Sequence, residues 1–413
     1  MTSIKSSHFC SSSASGKDWR DTSKNVLDNL DEARKDDSPY NFGFIYISDH
    51  LADDAVSIIN LFKSVTNIEN WIGSIGMGVI GGNQAYTDKP AISVMVGNFP
   101  EGSFCVFPKT GDLGENIPQD EVNTWLDNNA PLLTFVHGDP LSQQDPIQTL
   151  QNLANLTGGF LVGGMTSSRS EHYQIANTIC ENTITGAFFS DKIEVATTVS
   201  QGCRPISDFH TITKSDGNII LEIDGKKPFT VLQKVLREEA AKKLGKDPEH
   251  ITTDFAPPDK DEFTINEASM GMSRGQIHVG LSLSNSDIKD YLTRNIIGID
   301  AQEGSISISE DVSNGELLIF SERNNETIFN DLEAKLTTLK KRITEGKGKF
   351  KPKGAIYISC IARGFQTEPN DAVNEIDIIR KIIGPLPLCG FYAGGEISNA
   401  RLYGYTGILT LFF

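Results

Sequence analysis

The stretch FGFIYIS at residues 42–48, followed by an amphipathic run from about Leu51 to Val65, SIGMGVIGG at 74–82 and AISVMVG at 91–97, decides the fold because it recurs. Its order is strand, helix, a second strand closing on glycines, then further strand. A second copy reads LLTFV at 132–136, a helix carrying Ile147, Leu150 and Leu153, GGFLVGGMTSS at 158–168 and ITGAFFS at 184–190. The third closes the sequence: GAIYIS at 354–359, a helix carrying Val373, Ile376, Ile379 and Ile382, LCGFYAGGEI at 388–397, and YGYTGILTLFF at 403–413. Such a period argues for duplicated supersecondary units. The strands are rich in Ile, Val, Phe and Tyr, and several are nearly all apolar, which requires cover on both faces. The expected fold class is α/β, a layered α/β sandwich of repeated strand-helix-strand-strand units in two domains.

Between the second and third copies lie a short strand, GNIILEIDG at 217–225, and a helix from Pro228 to Leu244 opened by proline. The prolines and charges of EHITTDFAPPDKDEF at 249–263 mark a linker or lid. Beyond it come IHVGLSLS at 277–284, a hairpin candidate at 304–321, and a helix whose Phe329, Leu332, Leu336, Leu339 and Ile343 share one face. The expected organisation is a Ser-rich flexible leader at 1–16, a first domain at 17–245, a linker at 246–262 and a second domain at 263–413.

Composition narrows the function. A chain of 413 residues is long for one core. Its 38% hydrophobic and 22% charged residues are those of a globular protein, and no apolar run approaches the ~18 residues of a membrane span. The N-terminus lacks the apolar core of a secretory signal, so the expected location is the cytoplasm, with no membrane partner. A formal charge of −17 argues against nucleic acid. The basic KKRITEGKGKFKPKG at 340–354 is read as the cationic end of a helix. Six scattered cysteines without a Cys-x-x-Cys pair are read as free thiols.

Gly76, Gly78 and Gly81 spell G-x-G-x-x-G after a strand, but the sequence leads into another strand rather than the helix a dinucleotide site requires. There is no P-loop, no His-Glu-x-x-His and no nucleophile elbow. The remaining candidates are isolated charges beside glycine-rich strand ends. Gly163 and Gly164 end a strand of the second copy, and His137 ends another in HGDP, as a ligand contact or a turn residue paired with Asp139. Gly202, Cys203 and Arg204 stand in SQGCRPIS, where a planar cation suits a carboxylate or a structural salt bridge. Cys360 and Arg363 of CIARG, with Gly394, Gly395 and Glu396 of GFYAGGEI, form a similar set, in which Glu396 pairs with Arg363 or binds a ligand's amino group.

SQGCRPIS followed by GNIILEIDGKKPFTVLQ resembles the closing half of the FIST N-terminal domain, and CIARG, GFYAGGEI and YGYTGILTLFF resemble the end of the FIST C-terminal domain. The resemblance spans about residues 40–413. It implies an intracellular signal-transduction sensor for small molecules such as amino acids, of the stand-alone bacterial type because the region before residue 40 is too short and polar for an F-box. It also implies protein partners such as a histidine kinase. Some members bind haem as nitric-oxide sensors acting on a histidine kinase or on cyclic-di-GMP enzymes, which makes haem the leading cofactor candidate. His137 and His278, near apolar strands, are then the candidate axial ligands, with Cys203 as a thiolate alternative.

The leading expectation is therefore a small-ligand sensor without catalysis that signals through a partner protein. A homo-oligomer stays open. The haem sensor is second. Third is a Cys-dependent enzyme using Cys203 or Cys360, although neither has a histidine within five sequence neighbours. A structural adaptor without a ligand is fourth.

Overall fold

The computed structural model describes residues 2–5, 9–33, 40–111, 117–245, 247–248, 276–283, 291–364 and 374–413. All three copies form. In the first, Phe42–Ser48 runs parallel to Asn70–Gly76 with helix Ala55–Thr66 as the crossover, and Ala91–Gly97 returns antiparallel beside the opening strand. The second repeats this with Pro131–Gly138, helix Pro146–Thr157, Phe160–Met165 and Ile184–Ser190. The third does so with Gly354–Cys360, helix Glu375–Ile383, Leu388–Ala393 and Gly407–Phe412. Local chemistry bounds the crossover helices. Asp145 accepts from the N–H groups of Ile147 and Gln148, Pro146 opens the first turn, and Gly158 at φ 63° ends the helix. Asn374 caps the third helix in the same way, while Val373 lies outside the described residues.

Between its second and closing strands every copy inserts a short hairpin: Gly78–Ile80 with Ala85–Thr87, Gln174–Ala176 with Thr178–Cys180, and Gly395–Ser398 with Arg401–Tyr403. Each joins another copy's sheet. The first hairpin pairs with Leu388–Ala393 of the third copy, the second with Asn70–Gly76 of the first, and the third with Phe160–Met165 of the second. The exchange is cyclic, so each copy has its own sheet and lends its hairpin to a neighbour. The inner faces meet in one apolar core that includes Phe44, Ile72, Phe135, Val162, Ile356 and Phe391. Gly73, Gly163 and Gly390 hold equivalent places in the three second strands, opposite Ile45, Val136 and Tyr357. A Cβ there would stand 1.7, 1.8 and 1.7 Å from those residues' carbonyl oxygens. Only glycine permits that approach.

The layered-sandwich expectation does not describe residues 202–330. The chain divides into two compact units, Met1–Gln201 with Asp331–Phe413, and Gly202–Asn330. In the second, Leu317–Glu322, His210–Asp216, Ile219–Ile223, Ser305–Ile308, Tyr291–Asp300 and Ile277–Ser282 pair in that order, and Ile277–Ser282 pairs back onto Leu317–Glu322. The result is a closed six-stranded antiparallel barrel. Leu232, Val235 and Leu236 of helix Pro228–Leu244 belong to its apolar cluster with Ile220, Val279, Ile306 and Phe320. Strands buried on one face favour closure because closure removes exposed edges.

Three further expectations change. The 304–321 segment is not a hairpin, since Ser305–Ile308 pairs with Ile219–Ile223 and Tyr291–Asp300, not with Leu317–Glu322. The leader at 1–16 contains a buried strand, Phe9–Ser15, paired with Ala91–Gly97. Its serines suit that place because they are small and find partners: Ser12 Oγ donates to the Val26 carbonyl at 2.9 Å, and Ser11 Oγ accepts from Leu388 N–H at 3.2 Å. The linker at 246–262 lies, apart from 247–248, outside the described residues, and the compact units divide the chain elsewhere, grouping the third copy with the first two. Among the described residues no helix is long and apolar enough to cross a membrane.

Candidate functional site

One residue beyond the shared glycines, the inner faces carry the register pairs Tyr46–Ser74, His137–Gly164 and Ile358–Phe391. The Tyr46 hydroxyl lies 3.2 Å from His137 Nε2, and the Tyr46 ring stacks on Phe391 at 4.8 Å. His137 is fully buried, and its Nδ1 has no hydrogen-bond partner among the described residues. Burial pushes its pKa down to about 3, so the ring is neutral at pH 7. His278, on the barrel, is lowered to about 4 by burial and by the neighbouring Arg323, and its Nδ1 lies 3.3 Å from the Gln276 carbonyl.

Neither histidine fits a haem, which needs an apolar slot beside its axial ligand. Next to His137, a Cβ on Gly164 would already stand 2.9 Å from Ala393 Cβ and 3.0 Å from Ile358 Cγ2. Two residues from His278, a Cβ on Gly280 would stand 2.4 Å from the Tyr291 ring and 2.8 Å from Ile319. Space that excludes a methyl group excludes a macrocycle. Cys203 offers no better ligand, since its Sγ accepts from Thr293 Oγ1 at 3.7 Å.

The third copy holds a buried polar network. Arg363 has a fully buried side chain, and its Nε donates to Glu375 Oε1 at 2.7 Å. Its Nη1 reaches the carbonyls of Ser200 at 3.1 Å and Tyr405 at 3.2 Å, and its Nη2 reaches Ser200 Oγ at 3.3 Å. Tyr357 OH and Ser359 Oγ each donate to Glu375 at 2.8 Å. Burial opposes the charge on Arg363, but the Glu375 carboxylate more than offsets it and raises the pKa. The guanidinium is thus bound by the protein's own carboxylate.

Glu396 does not pair with Arg363. It is fully buried, and Oε2 accepts from the N–H of Thr406 at 2.9 Å and from its hydroxyl at 2.8 Å. Oε1 has no hydrogen-bond partner among the described residues. Burial pushes its pKa up to about 7, against the opposing effects of the Thr406 hydrogen bonds, of the Arg363 charge at longer range and of a hydrogen bond with the Cys360 thiol. Glycines frame the site tightly: a Cβ on Gly394 would stand 3.0 Å from the Thr166 carbonyl oxygen, and one on Gly395 2.9 Å from Leu402 Cδ1. Gly163, Gly164, Gly394 and Gly395 therefore serve close packing.

Gly202, Cys203 and Arg204 lie in the barrel unit, where Arg204 is bound by Glu239 and Glu322 and Lys243 Nζ reaches Glu322 at 2.6 Å. The structure thus brings Cys360 and Arg363 together with Glu396, and makes Arg204 a separate structural ion pair. Sequence reasoning missed Glu375, Ser200 and Thr406. A signal for Glu375 was present: it shares the helix face of Ile378, Ile379 and Ile382, where a carboxylate is out of pattern unless paired.

The FIST N domain family model matches residues 41–226, and the FIST C domain model matches residues 249–399. The chain is similar to the "Uncharacterized protein Rv0628c" of Mycobacterium tuberculosis, 26% identical over 372 residues that cover 87% of this chain and 88% of the relative. It is likewise similar to the "Uncharacterized protein Mb0898c" of Mycobacterium bovis, 26% identical over 372 residues covering 87% of each.

Proposed function

Because the chain belongs to the FIST family, with its N and C domains in that order and the family's association with sensing in signal transduction, we propose that it is a non-catalytic sensor. On this reading it binds a small polar ligand at Glu396 and reports its state to a protein partner, such as a histidine kinase, in the cytoplasm. One observation carries the proposal. Glu396 is a fully buried carboxyl with one oxygen held by Thr406 and no counter-charge among the described residues, its remaining oxygen having only the weak Cys360 thiol to draw on. Buried polar groups are costly unless satisfied, so such an atom points to a ligand contact. Cys360 adjoins the carboxyl. Arg363 acts through the turn that holds Thr406, because it grips the Tyr405 carbonyl.

The same hydrogen bonds suggest how occupancy is passed on. From Arg363 they continue to Ser200, whose hydroxyl donates to Asp331 Oδ2 at 2.8 Å. Ser200 and Asp331 lie beside the two points where the chain leaves and re-enters this unit, Gln201/Gly202 and Asn330/Asp331. Ligand that pulls on Thr406 would thereby bias both crossings. The test is a thermal-unfolding screen with a broad panel of small polar compounds. Ligand at 100 times its Kd should stabilise by about 2.7 kcal/mol in the wild type, and Glu396→Gln should abolish the shift. A panel without any stabilising compound, or a shift unaffected by Glu396→Gln, would reject the assignment.

A further inference from the structure

We propose that Glu396 is a proton-controlled latch: protonated, it lets the third hairpin seat against the second copy, and ionised, it forces that hairpin or the turn behind it to move. The latch needs no ligand, so it goes beyond the sensor reading and is tested apart from it. The cyclic exchange of hairpins carries the argument. One register step beyond the shared glycines, each lent hairpin sets one residue opposite its host strand: Val79 opposite Phe391, Gln174 opposite Ser74 and Glu396 opposite Gly164. All three are fully buried. Val79 is apolar, and Gln174 is a neutral amide whose Nε2 donates to Thr166 Oγ1 at 2.9 Å and to the His172 carbonyl at 2.6 Å. Only the third hairpin carries an ionisable group at this place, so of the three seats only this one can answer to protons through it.

Packing turns ionisation into movement. A buried carboxylate is tolerated where an opposite charge or water reaches it. Arg363 supplies neither, because its donors are committed to Glu375, Ser200 and the Tyr405 carbonyl. Beside Glu396 on the same rung, the place of a Gly164 side chain is already filled, with Ala393 Cβ 2.9 Å and Ile358 Cγ2 3.0 Å from where a Cβ would stand. A place too small for a methyl group does not take a water molecule either. The two hydrogen bonds from Thr406 and the weak one with the Cys360 thiol favour the charged form, but burial outweighs them. Hydration of an ionised Glu396 therefore requires that Gly395–Ser398 lift from Phe160–Met165 or that the turn holding Thr406 open. Tyr405 in that turn has φ 66°, a region disfavoured for a bulky side chain, and Arg363 grips its carbonyl.

The groups facing Glu396 are Thr406 from the turn, the Cys360 thiol from the strand Gly354–Cys360, Arg363 at a distance, His137 along the rung and Tyr403 on the paired strand. Arg363 keeps its charge, and His137, lowered to about 3, stays neutral from pH 5 upward. Burial raises the Glu396 pKa from 4.5 to about 7, so the seated hairpin holds the proton more tightly than the open one. The hold this gives is complete below pH 4.5 and is lost as pH rises through 7. With those two values the open fraction of the hairpin should rise up to roughly 70-fold between pH 5 and pH 8.

The experiment is amide hydrogen exchange on the full chain at pH 5 and pH 8, corrected for the pH dependence of intrinsic exchange and compared among the three hairpins. Between the two pH values, protection of Gly395–Ser398 and Arg401–Tyr403 should fall at least about tenfold more than that of Gly78–Ile80 and Gln174–Ala176. The excess should be absent in Glu396→Gln, a substitution that puts the residue of the second hairpin at the equivalent place of the third. If that variant fails to fold, the contrast among the three wild-type hairpins decides. Loss of protection that is equal at all three hairpins, or no loss at any, overturns the latch, and so does an excess loss that survives Glu396→Gln. The sensor reading is judged separately, by the ligand-induced shift in Tm.

Discussion

Arg363 and Arg204 look alike in sequence, each close to a cysteine in a glycine-bearing turn, yet the fold uses them in opposite ways. Arg363 has no exposed side-chain surface, faces Glu375 and satisfies its remaining donors on Ser200 and Tyr405. Arg204 is 39% exposed at the side chain and shares Glu322 with Lys243. Burial, more than the identity of the charge, decides what such a pair is worth. A buried ion that loses its partner costs several kcal/mol, while a solvated one costs little. The largest test follows directly. Arg363→Ala should lose about 3–5 kcal/mol in urea unfolding, because Glu375 is left buried without a counter-charge. Adding Glu375→Gln should recover a large part of that loss. A loss of 1 kcal/mol or less would break the contrast between the two arginines.

Glu396 sharpens the contrast, since it is buried like Arg363 but has no counter-charge paired with it among the described residues. Its pKa in the folded protein is raised to about 7 from the ordinary 4.5, so the folded state holds the proton more tightly than the unfolded one. The stability this contributes is fully present below pH 4.5 and is lost as pH rises through 7. Glu396→Gln, which cannot ionise, should therefore be more stable than wild type at pH 8 by up to roughly 3 kcal/mol, given ~1.4 kcal/mol per pKa unit. Near pH 4.5 that advantage should vanish. His137 and His278 titrate in both proteins and drop out of the difference. Equal stability of the two proteins across this range, in chemical unfolding at several pH values, would show that the carboxyl has found a partner.

The contrast also marks what the sequence could reveal. The three copies were legible because apolar strands and helix caps are local signals, and each copy formed where FGFIYIS, LLTFV and GAIYIS stand. The cyclic exchange of hairpins was not, because the partner of Gly395–Ser398 lies more than 200 residues away, and nothing local specifies it. The barrel was hidden for the same reason: Leu317–Glu322 pairs with Ile277–Ser282 and His210–Asp216 instead of with its sequence neighbour Ser305–Ile308. At the site, Arg363 and Glu396 were recognisable as isolated charges among apolar residues. Their separation into a paired ion and an unpaired one depends on Glu375 and Thr406, which only the folded chain brings to them.

The smallest expected effect belongs to Arg204. Removing its guanidinium leaves Glu322 still bound by Lys243 at 2.6 Å, and Glu239 keeps some contact with water at 14% exposure. Neither carboxylate is stranded, so Arg204→Ala should cost about 1 kcal/mol or less. Salt provides the sharper discrimination. At 1 M salt the Debye length falls to ~3 Å, so a half-solvated pair is screened and the difference between Arg204→Ala and wild type should shrink further. The Arg363→Ala difference should hold, because ions do not reach a fully buried pair. If salt diminished both losses in proportion, the Arg363 network would have to be open to solvent, and the contrast between a buried and a solvated arginine pair would fail with it.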